Sequence, residues 1–152
     1  MILESPLRNV ATQLAKSDHP VWKEIAPYFT PADFRAPHLM DVGFLRWLYR
    51  VRERAAVPMW ITSDARAPES DIGADFTAHK KVPCRAIDGQ VKQLHKGMPG
   101  SEQLARIMIA AVQEGCVRMG IYKSAKNLGD IYHLDCETHA ENPSPRMWTK
   151  WA

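Results

Sequence analysis

A chain of 152 residues with 45% apolar and 24% charged residues has the composition of one globular domain with a single core, which excludes a largely disordered protein. The formal charge of +3 comes from scattered Lys and Arg, which excludes a concentrated nucleic-acid surface and leaves weak attraction to an anionic polymer at most. The opening M-I-L-E-S-P-L-R has no basic segment ahead of an apolar run, and no apolar stretch reaches the roughly 18 residues that span a bilayer, so neither a signal peptide nor membrane insertion is expected.

In chain order, Ser5-Pro6 followed by Leu7, Val10, Ala11 and Leu14 at helical spacing predicts a first amphipathic helix over residues 5–17. Pro20 opens a shorter turn carrying Val21, Trp22 and Ile25, and Thr30-Pro31-Ala32-Asp33 repeats the capping pattern. Residues 41–54 predict a helix, because Phe44, Leu45, Leu48 and Val51 share one face with most of the charges off it. Residues 57–62 then read as a strand that delivers Ser63, Asp64, Ala65 and Arg66 to a loop. Residues 84–88 read as a second strand with Cys84, Ala86 and Asp88 on one face.

Residues 97–100 predict a break. Ser101 is the expected N-cap of a helix carrying Leu104, Ile107, Met108, Ala111 and Val112, which Gly115 stops. Residues 117–122 and 131–136 are two further strands, and alternation puts Ile131, His133 and Asp135 on one side of the last. Trp148 and Trp151 belong to a tail whose indoles could bind a glycan or peptide, packing back onto the domain being the expected job. Cys84, Cys116 and Cys136 cannot all pair and show no C-x-x-C spacing, so reduced, buried thiols are expected. Together these elements predict an α+β domain with a small, mostly antiparallel sheet of about four strands and flanking helices.

The chemistry concentrates between His79 and Asp135, where two imidazoles and several carboxylates recur among ordinary core residues. Two His and one carboxylate with an open fourth position make a hydrolytic zinc site. His19, His38, His95 and His139 read as ordinary surface or core histidines, with His95 the substitute should His79 not serve.

Three segments, T-S-D-A-R (residues 62–66), H-K-K-V-P-C-R-A-I-D (79–88) and D-I-Y-H (130–133), come in the order of an S-G-Y-R-like segment, H-x-x-G-x-A-x-D and E/D-x-x-H. In this the chain resembles the D-alanyl-D-alanine carboxypeptidase family of zinc peptidases. That family includes vancomycin-resistance D,D-peptidases and phage L-alanyl-D-glutamate endolysins, and it shares its fold with the Hedgehog signalling domain. The likeness spans residues 28–137. The interval from His79 to Asp88 is two residues longer than the family pattern, and Asp64-Ala65 stands in place of Gly-Tyr.

The resemblance implies one zinc ion per chain held by His79, Asp88 and His133, and Asp130 as general base. It further implies that Arg66, with Ser63 beside it, binds a substrate carboxylate or the developing oxyanion. Asp135, one pleat from His133, is the expected orienting partner of that imidazole. The implied substrate is a stem or cross-link peptide of bacterial peptidoglycan, cut by a monomeric phage or prophage enzyme that reaches the wall by release or in a particle. The alternative is a non-catalytic module of the same fold that keeps zinc for stability.

Overall fold

Alternating runs in the second half of the chain pair into one sheet, and the two long amphipathic runs form the helices of its core. The computed structural model describes residues 4–67, 77–123, 130–137 and 146–150. In order these give α1 (Val21–Glu24), α2 (Val42–Ala55), β1 (Trp60–Ser63), β2 (Ala86–Gln90), β3 (Leu94–His95), β4 (Met98–Pro99), α3 (Gly100–Gln113), β5 (Arg118–Tyr122), β6 (Ile131–Asp135) and β7 (Arg146–Lys150). The main sheet has the order β1-β2-β6-β5-β7, antiparallel throughout except for the parallel β5–β7 pair, and β3–β4 form a separate two-stranded hairpin. This is the expected α+β class, with one strand more in the main sheet because the tryptophan-bearing tail adds β7.

The core joins one face of the sheet to the helices. Ile87, Met119, Tyr132 and Leu134 are buried in one cluster with Phe44, Trp47, Leu48 and Val51 of α2 and Ile107 and Ala111 of α3. The Asp41 carboxylate accepts from Phe44 N at 3.1 Å and so caps α2. Trp47 Nε1 donates to the Glu114 carbonyl at 2.9 Å, tying α2 to the end of α3. No helix among the described residues is long and apolar enough to cross a membrane.

Residues 5–17 are not the expected helix. They run as turns and extended chain, with Leu14 bridged to Asp41. The buried Arg85–Asp41 ion pair, 2.9 Å, takes the backbone groups a helix would have used. Arg85 donates to the carbonyls of Leu7 (3.1 Å) and Val10 (2.8 Å), and the Asp41 carboxylate accepts from Gln13 N (2.8 Å).

Ser101 is not the N-cap either, since α3 starts at Gly100 with Pro99 in the cap position. The buried Gln103 amide donates to the carbonyls of Lys92 (3.0 Å) and Met98 (2.9 Å), which folds the expected break into the β3–β4 hairpin and docks it on the helix start. Val112 is exposed, its place on the buried face being taken by Gln103 and Ala110. β1 and β2 each begin after the expected residue, at Trp60 and Ala86, and Cys84 makes an isolated bridge to Met40 instead. All three cysteines are buried and unpaired, and burial pushes the Cys84 and Cys116 thiols up to about 12.

Candidate metal centre

The site grows from a single row across the sheet. Ser63 pairs with Asp88, Asp88 with His133, His133 with Gly120 and Gly120 with Trp148. Cross-strand partners stand side by side on one face, and alternation places this row on the side opposite the buried Ile87, Tyr132 and Leu134. The next row on the same face brings Ala86, Asp135 and Arg118 together. Asp88 and His133, 45 residues apart in sequence, therefore meet through strand register alone: His133 Nδ1 lies 2.9 Å from Asp88 Oδ1.

His79 reaches the row from outside the sheet. It sits in the 3-10 turn Ala78–Lys80, after Thr77, whose side chain accepts from His79 N. Its Nδ1 lies 2.8 Å from the Asp64 carbonyl. A carbonyl only accepts, so Nδ1 carries a proton, and Nε2 is the nitrogen turned toward Asp88 Oδ1, at 3.4 Å. Asp64 is itself held, its carboxylate accepting from Arg35 N (3.0 Å) and Ala36 N (2.8 Å), and Arg66 N donates to the His79 carbonyl at 2.7 Å. The two extra residues between His79 and Asp88 leave this approach intact.

His133 lies between two carboxylates, with Nε2 2.7 Å from Asp135 Oδ2. Asp135 is fully buried and fully engaged, its Oδ1 accepting from Arg118 Nε (2.8 Å) and Glu137 N (3.1 Å). Burial opposes a charge on the His133 imidazole, but hydrogen bonds to Asp135 and Asp88 outweigh it and raise its pKa to about 9. Burial likewise works against an ionised Asp88. The hydrogen bonds from His133 and His79 prevail and hold that carboxyl well below the usual range.

These features fit a metal ion. His79, Asp88 and His133 each offer one ligand atom, all within 4.8 Å of one another, and no other such group of His, Cys, Asp and Glu occurs among the described residues. The nitrogens facing Asp88 are His79 Nε2 and His133 Nδ1, while the opposite nitrogens are bound to a carbonyl and a carboxylate. That outer hydrogen bonding fixes tautomer and ring orientation for metal binding. An ion would displace the His133 Nδ1 proton and offset the Asp88 charge.

The cluster floors a cavity of about 220 Å³, walled by Arg66 and Thr77 on one side and by Tyr122 and Trp148 on the other. Arg66 donates from Nη2 to Ser63 Oγ at 3.0 Å and makes no ion pair with the described residues. Of the residues expected at the site, Arg66, His79, Asp88, His133 and Asp135 line this cavity, whereas Ser63 and Asp130 are not among its lining residues. Ser63 acts behind Arg66. Asp130 precedes β6, an odd number of residues before His133, and its carbonyl accepts from Val91 N at 3.2 Å. His95 lies in β3 with its ring 6.0 Å from that of Trp60, apart from the cluster.

Residue types alone did not single out Asp64, Arg118, Tyr122 or Trp148. Asp64 acts through its backbone carbonyl, which no side-chain motif reports. For the other three the available signal was Gly120, a glycine inside a strand, which marks a close approach. Comparison of the chain with protein-family models, with curated proteins and with solved structures finds no match.

Proposed function

We propose that this chain is a zinc-dependent peptidase that hydrolyses an amide bond in stem or cross-link peptides of bacterial peptidoglycan. The observation that carries the reading is the convergence of His79 Nε2, Asp88 Oδ1 and His133 Nδ1 in an open cavity that also holds Arg66. Two imidazoles and a carboxylate are a donor set that suits zinc and leaves a position open. When bound, zinc supplies a Lewis acid that polarises a carbonyl and lowers the pKa of water to about 7.

The chain's own residues divide the remaining work. His79 and His133 are presented by the Asp64 carbonyl and by Asp135, so their donor nitrogens point inward before anything binds. Arg66, steadied by Ser63, offers a planar guanidinium to a peptide carboxylate or to the oxygen that gains negative charge. Asp135 is committed to His133 and Arg118, which makes it an orienting group. The proton-accepting role falls to Asp130 by the family resemblance alone, a phage or prophage lysin being the context that resemblance implies.

Digestion of purified peptidoglycan of several wall chemotypes, with mass spectrometry of the fragments, tests the reading. New peptide termini that depend on zinc and vanish in His133→Ala are expected. Intact peptides from every chemotype, with stoichiometric zinc bound, would turn the assignment to a zinc-stabilised module without activity.

A further inference from the structure

The face of the sheet that carries the metal cluster continues past it, toward the ends of β2 and β5. One row along from Ser63, Asp88 and His133, register pairs Trp60 with Gln90, Gln90 with Ile131 and Ile131 with Tyr122. Residues two apart on a strand point the same way, so these four stand on the cluster's side of the sheet. All four are half-buried, which leaves this row open to solvent, whereas Ile87, Tyr132 and Leu134 seal the opposite face. A chain lying over the cluster can therefore extend along the sheet in this direction.

Lys92 stands at the end of that path. Its main chain is pinned by one buried amide: Lys92 N donates to Gln103 Oε1 (3.3 Å), and its carbonyl accepts from Gln103 Nε2 (3.0 Å). Its ammonium lies 4.7 Å from the centroid of the Trp60 ring, and the His95 ring of the β3–β4 hairpin meets the same indole at 70°. Lys92 is exposed and makes no ion pair among the described residues. Its seat on an aromatic face fixes where the charge sits without neutralising it. β2 holds its line past Gln90, since Val91 N donates to the Asp130 carbonyl. Lys92 follows Asp88 by four residues, which at the rise of a strand sets it about 13 Å along from the cluster.

We infer that Trp60 and Lys92 form a remote substrate subsite, in which the Lys92 ammonium pairs with a carboxylate on a peptide whose target amide lies at the cluster. An extended peptide advances about 3.3–3.6 Å per residue, so the recognised carboxylate falls about three to five residues from that amide. The inference rests on the peptidase reading and adds the class of peptide favoured: an anionic one, with its charge at a set distance. Arg66 borders the cavity itself, so the two cations address different parts of the chain. A contact made so far from the reacting bond acts on affinity and leaves metal binding alone.

The test uses the full-length, zinc-loaded protein and peptide hydroxamates, whose terminal group takes the ion and so fixes the register. Two series of Gly-Ala-Ser peptides carry the hydroxamate at the C-terminal or the N-terminal end. A single Glu is moved outward residue by residue, with Gln or Lys at the same place for comparison, and Kd is read by fluorescence anisotropy at low and high salt. In one series Glu should bind about two- to five-fold tighter than Gln, the range of an exposed ion pair. That advantage should be confined to places about three to five residues from the hydroxamate, and high salt should erase it. Lys92→Gln should abolish the advantage and Lys92→Arg keep it. Lys92→Glu should turn it into a preference for Lys at the same place, with zinc content unchanged throughout.

A flat Glu scan in both series, with the hydroxamates bound, overturns the inference and leaves the peptidase reading standing. A distance preference that survives Lys92→Gln also overturns it, assigning the charge to another cation. A preference that follows Lys92, in a protein that cleaves no wall peptide, upholds the subsite and removes the peptidase reading. Failure of every hydroxamate to bind removes both.

Discussion

His133 is the residue through which site and stability are coupled, because it holds a proton toward each of two carboxylates whenever no ion is bound. Its pKa is raised from 6.5 to about 9. The contribution to the metal-free fold is therefore complete below about pH 6.5 and is lost as pH rises through about 9. Chelator-treated protein should show its melting temperature falling across that interval, and His133→Ala should flatten the fall. Zinc affinity should climb over the same interval, as the competing proton leaves; isothermal titration at several pH values checks the sign.

On the proposed reading, the neighbouring aspartates separate orientation from proton transfer. Asp135→Asn removes the carboxylate that aligns His133 and should weaken zinc binding by about 10- to 100-fold. Asp130→Asn should leave zinc content unchanged and cost about 10²- to 10⁴-fold in turnover, the usual range for a lost general base. Stopped assays alongside metal analysis measure both. Native turnover in Asp130→Asn would take Asp130 out of the reaction.

Among the elements, those that carry their own signals were legible in the sequence. α2 has its capping Asp41 and an apolar stripe, and β6 has the alternation that set His133 beside Asp135. The order of His79, Asp88 and His133 likewise foretold the cluster. Residues 5–17 misled because their partners, Asp41 and Arg85, lie far along the chain, and helical spacing cannot register a distant guanidinium. β7 was hidden for a related reason: it is defined by parallel pairing with β5 and by the space over Gly120, neither of which its own residues declare. Breaking the pair that reshaped residues 5–17 should be costly. Arg85→Ala leaves Asp41 buried without its cation, which typically costs about 3–5 kcal/mol. Urea denaturation of the zinc-free protein measures that loss.

At the scale of the whole molecule, the ligand cluster joins the segment carrying His79 to the centre of the sheet, and all three thiols are buried and unpaired. The chain thus has no covalent tie of its own. A bound ion would act as one, closing the 45-residue span between Asp88 and His133 much as a disulfide narrows the unfolded ensemble, but reversibly and without an oxidant. Resistance to proteolysis would then follow the free metal in the surroundings: scarce metal would mark the chain for clearance, and abundant metal would make it durable in the same place where the proposed activity would arise.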